Sequence, residues 1–194
     1  PKAIYGAGTG LGVGYLVKAG GKWTPLPSEG GHVYVSTTTD RQDAIVKELR
    51  KQFDHVSAER LLSGQGLVNL YKSIATLNGH EVKDVQPCDV TGGAFAANPC
   101  PDCKEAVDQF CALMGVFGSN LAVNILSRGG VYIAGGIVPR FVEYFKNSTF
   151  RANFENKGRY SDILKKIPVY VISAQDAGLL GAGAYIRQEL GATL

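Results

Sequence analysis

Apolar residues alternate with small or polar residues near the amino end of the chain, which is the spacing of a half-buried β-strand. The alternation covers residues 11–17, stops at an Ala-Gly-Gly turn and resumes over residues 22–26. A loop at 27–32 follows, and residues 32–36 extend the pattern once more. We therefore predict a strand, a turn and a strand, with a further strand at 32–36.

Apolar residues recur every three or four positions over most of the remaining chain, as in amphipathic helices. Two continuous apolar runs, 131–136 and 168–173, interrupt this pattern and predict buried strands. Gly115 and Gly118 are small positions in the longest helix that would let a neighbouring element pack closely. The predicted helices are 40–53 capped by Asp40, a short one capped by Ser57, 66–77, 102–126, 139–146 and 178–190. These elements predict an α/β fold, a mixed β-sheet flanked by helices, in a single domain over residues 1–194.

The composition is that of an ordinary globular protein, with 45% apolar and 19% charged residues. The net charge of +3 is spread along the chain without a run of Lys and Arg, so nucleic acid is not an expected partner. No apolar run approaches the roughly 20 residues needed to cross a bilayer, and no amino-terminal signal pattern is present. We therefore expect no membrane partner and a cytoplasmic location.

The two ends of the chain add two expectations. The chain starts at Pro1 without a methionine and enters a strand-like segment almost at once, so we expect a piece of a longer protein. Its last three residues, Ala-Thr-Leu, are similar to the peroxisomal address Ser-Lys-Leu but lack the basic middle residue. A peroxisome-like organelle is therefore the alternative location.

Five glycines fall within nine positions of the segment YGAGTGLGVGYLV, residues 5–17. Glycine supplies positive φ or lets a ligand approach the backbone, and N–H groups in such loops often bind phosphate. The dinucleotide-binding fingerprint fails, because no glycine stands five residues after Gly6, Gly8 or Gly10. The P-loop pattern fails too, since the Gly-Lys pair at 21–22 is followed by tryptophan. An ordinary hairpin turn and a phosphate-binding hairpin both stay open.

Five other residues have a structural and a functional interpretation each. Glu29, in SEGGH, is either a solvated loop residue or an acceptor for adjacent sugar hydroxyls, and His32 is either structural or a donor to another hydroxyl. Glu59 follows a capping serine, where a negative charge interacts favourably with the helix dipole. Gly135 and Gly136 end a buried strand, where they serve either close packing or a ligand in the crevice of the sheet.

Four cysteines are present, at positions 88, 100, 103 and 111. Cys100 and Cys103 have the two-residue gap of a zinc knuckle or a redox pair, but no second pair or closely spaced histidine completes a four-ligand zinc site. Free thiols near a helix start are therefore expected there, with zinc as the alternative. Cys111 lies in an apolar helical stretch and is predicted to belong to the core.

Four segments together resemble the carboxy-terminal domain of bacterial-type glucokinases, members of the hexokinase, actin and Hsp70 superfamily. They read GAGTGLGVGYLV, LPSEGGH, HVSAERLLSGQGLVNLY and GGVYIAGGIVPRF, in that order. The similarity continues to GLLGAGAYIRQ at 178–188, so it covers nearly the whole chain. The resemblance implies a ribonuclease H-like, or actin-like ATPase, domain whose second phosphate loop is a hairpin turn.

The resemblance also implies roles for individual residues. In the family the glycine hairpin presents N–H groups and a hydroxyl to the terminal phosphates of ATP, two glutamates and a histidine contact glucose, and paired glycines let adenosine lie against the backbone. The implied phosphate-binding residues are Gly8, Thr9 and Gly10. The implied glucose-binding residues are Glu29, His32 and Glu59, and those at the adenosine are Gly135, Gly136 and Ile137.

Two parts of the family's active site have no match in this chain. The family places its catalytic aspartate and its first phosphate loop in an amino-terminal domain, and the nearest segment here, DVTGGA at 89–94, reads helical or turn-like. The resemblance therefore implies half of a glucokinase that uses ATP and Mg²⁺, inactive by itself, with no catalytic or metal-binding residue of its own. It also suggests a homodimer. The alternatives are a kinase for another hexose and a non-catalytic regulator that binds sugar or nucleotide.

Overall fold

The computed structural model describes residues 1–174 and 176–191, and the three-residue tail that resembles a peroxisomal address lies outside them. Five strands form one mixed sheet in the order β3-β2-β1-β4-β5. The first three strands are antiparallel neighbours, whereas β1 pairs with β4, and β4 with β5, in parallel. The strands are β1 (Lys2–Ala7), β2 (Leu11–Ala19), β3 (Lys22–Ser28), β4 (Val131–Ala134) and β5 (Val169–Val171). The predicted α/β architecture is confirmed.

Eight α-helices flank this sheet within the described residues. Their bounds are α1 (Asp40–Leu49), α2 (Gly64–Asn78), α3 (Pro87–Ala94), α4 (Pro101–Asn124), α5 (Val142–Asn147), α6 (Phe150–Glu155), α7 (Ser161–Leu164) and α8 (Ala177–Glu189). The segment DVTGGA lies inside α3, as its helical pattern indicated. Because Asp89 accepts a hydrogen bond from the Gln86 N–H at 2.8 Å, its carboxylate closes a capping box.

Residues 32–36 do not form the predicted strand. The chain makes a 3₁₀ turn over Gly30–His32, which packs so closely on the start of β2 that a side chain at Gly31 would overlap the carbonyl oxygen of Leu11. Beyond this turn, Tyr34 pairs only with Ser57 in an isolated bridge. The backbone of this segment therefore bonds to a distant loop and leaves the sheet.

Two predicted helix caps were also wrong. Helix α1 is capped by Thr39, whose hydroxyl accepts the Gln42 N–H at 3.2 Å, and it ends at Leu49, four residues before the predicted end. Ser57 precedes a 3₁₀ turn, Ala58–Arg60, and its side chain makes no capping bond.

The helix predicted at 139–146 is divided: segment 138–147 forms a 3₁₀ turn followed by α5. The short helices α6 and α7 were missed, because four to six residues carry too little periodicity to show.

The long helix α4 packs closely on β1 through Gly118 and on α6 through Gly115. A Cβ at Gly118 would lie 2.6 Å from the hydroxyl of Tyr5, and one at Gly115 would overlap the carbonyl oxygen of Phe150. The Tyr5 hydroxyl donates to the carbonyl of Met114 at 2.8 Å, and burial raises its pKa well above the ordinary value. The predicted close approach at both glycines is confirmed.

Contrary to the expectation from the sequence, α4 is long and apolar enough to cross a bilayer by length and composition alone. Its most apolar window is 72% buried within the described protein, with a mean hydropathy of 1.3. Because that surface already packs against the sheet and neighbouring helices, α4 has the environment of a core helix.

Candidate functional site

The glycine hairpin joins β1 to β2 around Gly8–Gly10, as the resemblance implied, whereas the strand, turn and strand predicted for residues 11–26 are β2, its turn and β3. Inside the turn the Gly8 N–H donates to the Gly10 carbonyl at 2.8 Å, which closes the loop. The Gly8 carbonyl accepts the N–H of Gly64, the first residue of α2, at 2.8 Å. Within the described residues, the N–H groups of Thr9 and Gly10 and the Thr9 hydroxyl have no hydrogen-bond partner. The exposed tip of the turn thus offers three open donors.

Glu59 contacts this hairpin directly. Its Oε2 accepts the N–H of Leu11, the first residue of β2, at 2.8 Å, and a Cβ at Gly10 would lie only 2.5 Å from the same oxygen. Glu59 is half-buried in its 3₁₀ turn. The carboxylate therefore has a specific partner beyond any favourable interaction with a helix dipole, and a side chain at Gly10 would push it from its present position.

Ser63 connects the same two parts of the site, and the sequence analysis missed it. Its hydroxyl donates to the Glu59 carbonyl at 2.8 Å and accepts the N–H of Gly66 at 3.0 Å, so it caps α2. The next residue, Gly64, bonds to Gly8. A serine followed by two helical turns of apolar spacing was the available signal.

Replacing Ser63 with alanine is expected to destabilise the protein by about 1–2 kcal/mol, since the cap is lost and buried polar groups lose a partner. Thr39→Ala is the matched control, because it removes an equivalent but exposed cap from α1. Urea denaturation of both variants measures the difference. Equal losses would show that the buried bond to the Glu59 carbonyl contributes nothing.

Glu29 and His32 lie on the turn after β3, with their side chains turned to solvent. The carboxylate Oε2 of Glu29 is 3.9 Å from Nε2 of His32, and the side chains are 93% and 60% exposed. The His32 carbonyl lies 2.6 Å from Nε2 of His55. Both residues are thus free to reorient, whereas the backbone beneath them is held by Gly31 against Leu11.

The Glu29–His32 turn is joined to the Glu59 turn through main-chain bonds. The Ala58 N–H donates to the Val33 carbonyl at 2.8 Å, and the Val35 N–H donates to Val56 at 3.2 Å. These bonds shape a cleft of about 330 Å³. Its lining includes His32 and Glu59, while Glu29 stands outside it; the full lining is His32, Gln52, Phe53, Asp54, His55, Ser57, Glu59 and Arg60.

The paired glycines follow β4 at the end of the sheet where β1 also finishes. Gly135 has a φ of +86°, and a side chain there would overlap the carbonyl oxygen of Ala7. That same oxygen accepts the Ile137 N–H at 3.4 Å. Gly136 is exposed, with open space where a Cβ would project. Packing therefore explains Gly135, but nothing in the described structure requires a glycine at 136.

The two segments predicted to bind nucleotide lie at the same end of the sheet. The hairpin at 8–10 and the turn at 135–137 leave the carboxyl ends of the neighbouring parallel strands β1 and β4. Ligands of open α/β sheets bind in the crevice outside such ends. Glu59 contacts the base of the same hairpin through Leu11, so the polar cleft that Glu59 and His32 line adjoins the hairpin.

The sheet order, the open hairpin and the adjoining cleft define a domain of the actin-like ATPase fold, the class that includes sugar kinases. The family described as glucokinase matches residues 1–189. A glucokinase from Yersinia enterocolitica is 56% identical over 194 residues, which is 100% of this chain and 60% of that protein. The chain belongs to the glucokinase family.

Solved structures agree with this assignment. A glucokinase from an Antarctic psychrotroph superposes with a TM-score of 0.91 at 34% identity, covering 96% of this chain and 58% of that one. A ROK family glucokinase from Streptomyces griseus, in complex with glucose and AMPPNP, superposes with a TM-score of 0.61 over 96% of this chain and 60% of its own. At 20% identity this second similarity shows the fold alone. The chain spans about 60% of the length of the curated relatives it matches.

Proposed function

We propose that this chain is the carboxy-terminal half of a two-domain, ATP-dependent glucokinase, which transfers the γ-phosphoryl group of ATP to the 6-hydroxyl of glucose. The observation that carries the proposal is the 2.8 Å bond from the Leu11 N–H to Glu59. It ties a candidate sugar-binding carboxylate to the base of a candidate phosphate loop. Direct transfer requires donor and acceptor to bind side by side, which this contact supports. Membership of the glucokinase family supports the same reaction.

Glu29, His32 and Glu59 are proposed to orient the sugar. Carboxylates accept strong, charge-assisted bonds from sugar hydroxyls, and the imidazole can donate one. Glu59 uses Oε2 for Leu11, which leaves Oε1 for a hydroxyl. Glu29 and His32 are exposed enough to turn toward a sugar in the cleft.

The hairpin is proposed to hold the terminal phosphates of ATP. The open N–H groups of Thr9 and Gly10 and the Thr9 hydroxyl suit a polyanion, whereas Gly8 uses its N–H inside the loop and shapes the turn. The adenosine is proposed to lie over Gly136 and Ile137, with Gly135 setting the path of the backbone. The lack of steric crowding at Gly136 supports this placement.

Mg²⁺ would accompany the nucleotide and neutralise charge on its phosphates. No group of three His, Cys, Asp or Glu residues in the described part of the chain could hold a metal ion, so we assign none of these residues to Mg²⁺. The catalytic aspartate and the first phosphate loop are proposed to lie in an amino-terminal domain. This chain alone is therefore expected to bind substrates weakly and to turn over negligibly.

Closure of the two domains would exclude water, which otherwise competes with glucose as phosphoryl acceptor. The exposed cleft beside Glu59 and the exposed hairpin tip fit surfaces that such a closure would cover. A homodimer in the cytoplasm completes the proposal, on the strength of the family resemblance.

The test is an assay of the intact protein that carries this chain, with ATP and a panel of hexoses. Formation of glucose 6-phosphate at the highest kcat/KM of the panel is expected. Faster turnover of mannose, fructose or an amino sugar would assign another hexose. Binding of glucose or ATP without consumption would instead make the protein a regulator.

A paired substitution separates packing from nucleotide binding at the double glycine. Gly135→Ala is expected to destabilise the fold by more than 1 kcal/mol, because it combines a left-handed φ with a clash against Ala7. Gly136→Ala is expected to leave stability within about 0.5 kcal/mol and to weaken ATP binding at least several-fold. Urea denaturation and calorimetric titration measure the two effects. Normal ATP binding by Gly136→Ala would remove adenosine from this position.

A further inference from the structure

Cys100 and Cys103 stand three residues apart at the first turn of α4, and neither belongs to the proposed sugar or nucleotide site. Cys100 is the N-cap of the helix, and its carbonyl accepts the Lys104 N–H at 2.9 Å. The two side chains meet at Gly93, where an added Cβ would lie 3.4 Å from the Cβ of Cys103 and 3.7 Å from the Cβ of Cys100. A disulfide needs about 3.5–4.5 Å between Cβ atoms, a separation that two side chains facing the same glycine can reach.

The two thiols differ in their access to solvent. Cys100 is half-buried, whereas Cys103 is only 6% exposed. Burial is the main cause, and the neighbouring Cys100 thiol the next, of the rise in the pKa of Cys103 to about 12. The accessible Cys100 thiol therefore meets an oxidant first, whereas the buried Cys103 must lose its proton before it can attack in the second step.

The backbone around the pair is held firmly. The Cys100 N–H donates to the Gly93 carbonyl of α3 at 2.9 Å, and a Cβ at Gly93 would meet the Cys103 sulfur at 3.0 Å. Between the cysteines, the buried Asp102 carboxylate accepts the side-chain amide of Asn78 and contacts His80 Nδ1, each at 2.8 Å. These bonds fix the turn that carries both sulfurs.

A zinc site fits the surroundings less well. Zinc in a structural site takes four ligands in tetrahedral geometry. The residues that the structure describes contain no group of three His, Cys, Asp or Glu side chains placed to hold a metal. All four cysteines are free thiols, which was the expectation for Cys100 and Cys103.

We propose that Cys100 and Cys103 form a reversible dithiol-disulfide pair, oxidised by a low-molecular-weight disulfide such as oxidised glutathione. The Cys100 thiolate attacks one sulfur of the oxidant, which breaks its S–S bond and releases one glutathione thiolate. Cys103 then gives its proton to solvent and attacks Sγ of Cys100, releasing the second glutathione. The protein loses two electrons and two protons, which the two glutathione molecules carry away. Excess reduced glutathione reverses both steps.

The experiment equilibrates the chain in glutathione buffers of graded ratio, traps remaining thiols by alkylation and identifies the products by peptide mass spectrometry. The wild-type chain is expected to form a Cys100–Cys103 disulfide without a lasting glutathione adduct at Cys100. In Cys103→Ser the reaction is expected to stop at that adduct. Cys103→Ala serves as a second variant, since the buried position could tolerate one replacement better than the other.

Cys88→Ser is the matched control, because Cys88 is exposed at the start of α3 and has no role in the pair. It is expected to form the disulfide as the wild type does. The proposal is overturned if the wild type accumulates the glutathione adduct at Cys100 as fully as the Cys103 variants do. It is also overturned if Cys100 and Cys103 are both recovered as alkylated, reduced thiols from every buffer. Stoichiometric zinc in protein purified without chelators would also overturn it. None of these outcomes depends on glucokinase activity.

Discussion

Replacing Gly10 with valine is expected to abolish measurable binding of ATP. The added Cβ would lie 2.5 Å from Oε2 of Glu59, well inside van der Waals contact, so either the hairpin or the carboxylate must move. Movement of the hairpin displaces the open N–H groups at the turn that are proposed to hold phosphate, and movement of the carboxylate breaks its bond to the Leu11 N–H at the base of the hairpin. The β-branched side chain also covers the backbone that the nucleotide approaches. Calorimetric titration of the intact protein with AMPPNP measures the loss.

Gly12→Val provides the matched control in the same hairpin. Gly12 lies in β2, is exposed and has open space where a Cβ would project. Valine suits a strand, so this variant is expected to fold and to bind nucleotide within about two-fold of the wild type. Unchanged affinity in Gly10→Val would rule out the hairpin as the phosphate loop. Circular dichroism of both variants establishes whether the fold persists.

Glu59→Gln is expected to raise the glucose concentration needed for half-maximal rate by more than ten-fold. A charge-assisted bond contributes about 1.5–3 kcal/mol, and 1.4 kcal/mol already corresponds to a factor of ten. The amide oxygen of glutamine can still accept the Leu11 N–H, so the hairpin is expected to keep its position. The KM for ATP should therefore change much less than the KM for glucose.

Glu143→Gln controls for the loss of a negative charge in general. Glu143 is 78% exposed, and among the described residues its carboxylate pairs only with Lys146 on the surface of α5, so its neutralisation should leave both KM values unchanged. If Glu59→Gln keeps the wild-type KM for glucose, then Glu59 supports the hairpin and does not bind glucose. If both KM values rise together, the bond to Leu11 is the more important role.

The elements that were predicted correctly are those whose buried face shows in the spacing of apolar residues along the chain. The strand pattern at 11–17 and the apolar run at 131–136 appear in the sheet as β2 and β4. Gly115 and Gly118 were recognised as contact positions because only small residues interrupt the apolar face of α4 there. Such features follow from side-chain size and period alone.

The errors arose where distant backbone atoms compete with local preference. Residues 32–36 alternate like a strand, but their N–H and C=O groups bond to 56–58, which lies about twenty residues away in sequence. Local propensity is too weak to overrule such contacts. The cap of α1 is a different and local error. Thr39, one residue before Asp40, caps the helix, because its hydroxyl accepts the Gln42 N–H.

The sequence by itself determined the class of fold through the spacing of apolar residues, and its resemblance to the glucokinase family supplied the candidate phosphate hairpin and the candidate binding residues. Only the tertiary structure decided which of these residues contact one another. Glu59 and Leu11 are 48 residues apart, and no periodicity relates them, yet folding of α2 against the hairpin brings them within 2.8 Å. The tertiary structure also showed that Gly135 packs against Ala7, whereas Gly136 has open space around it, a difference that two adjacent glycines do not show in the sequence.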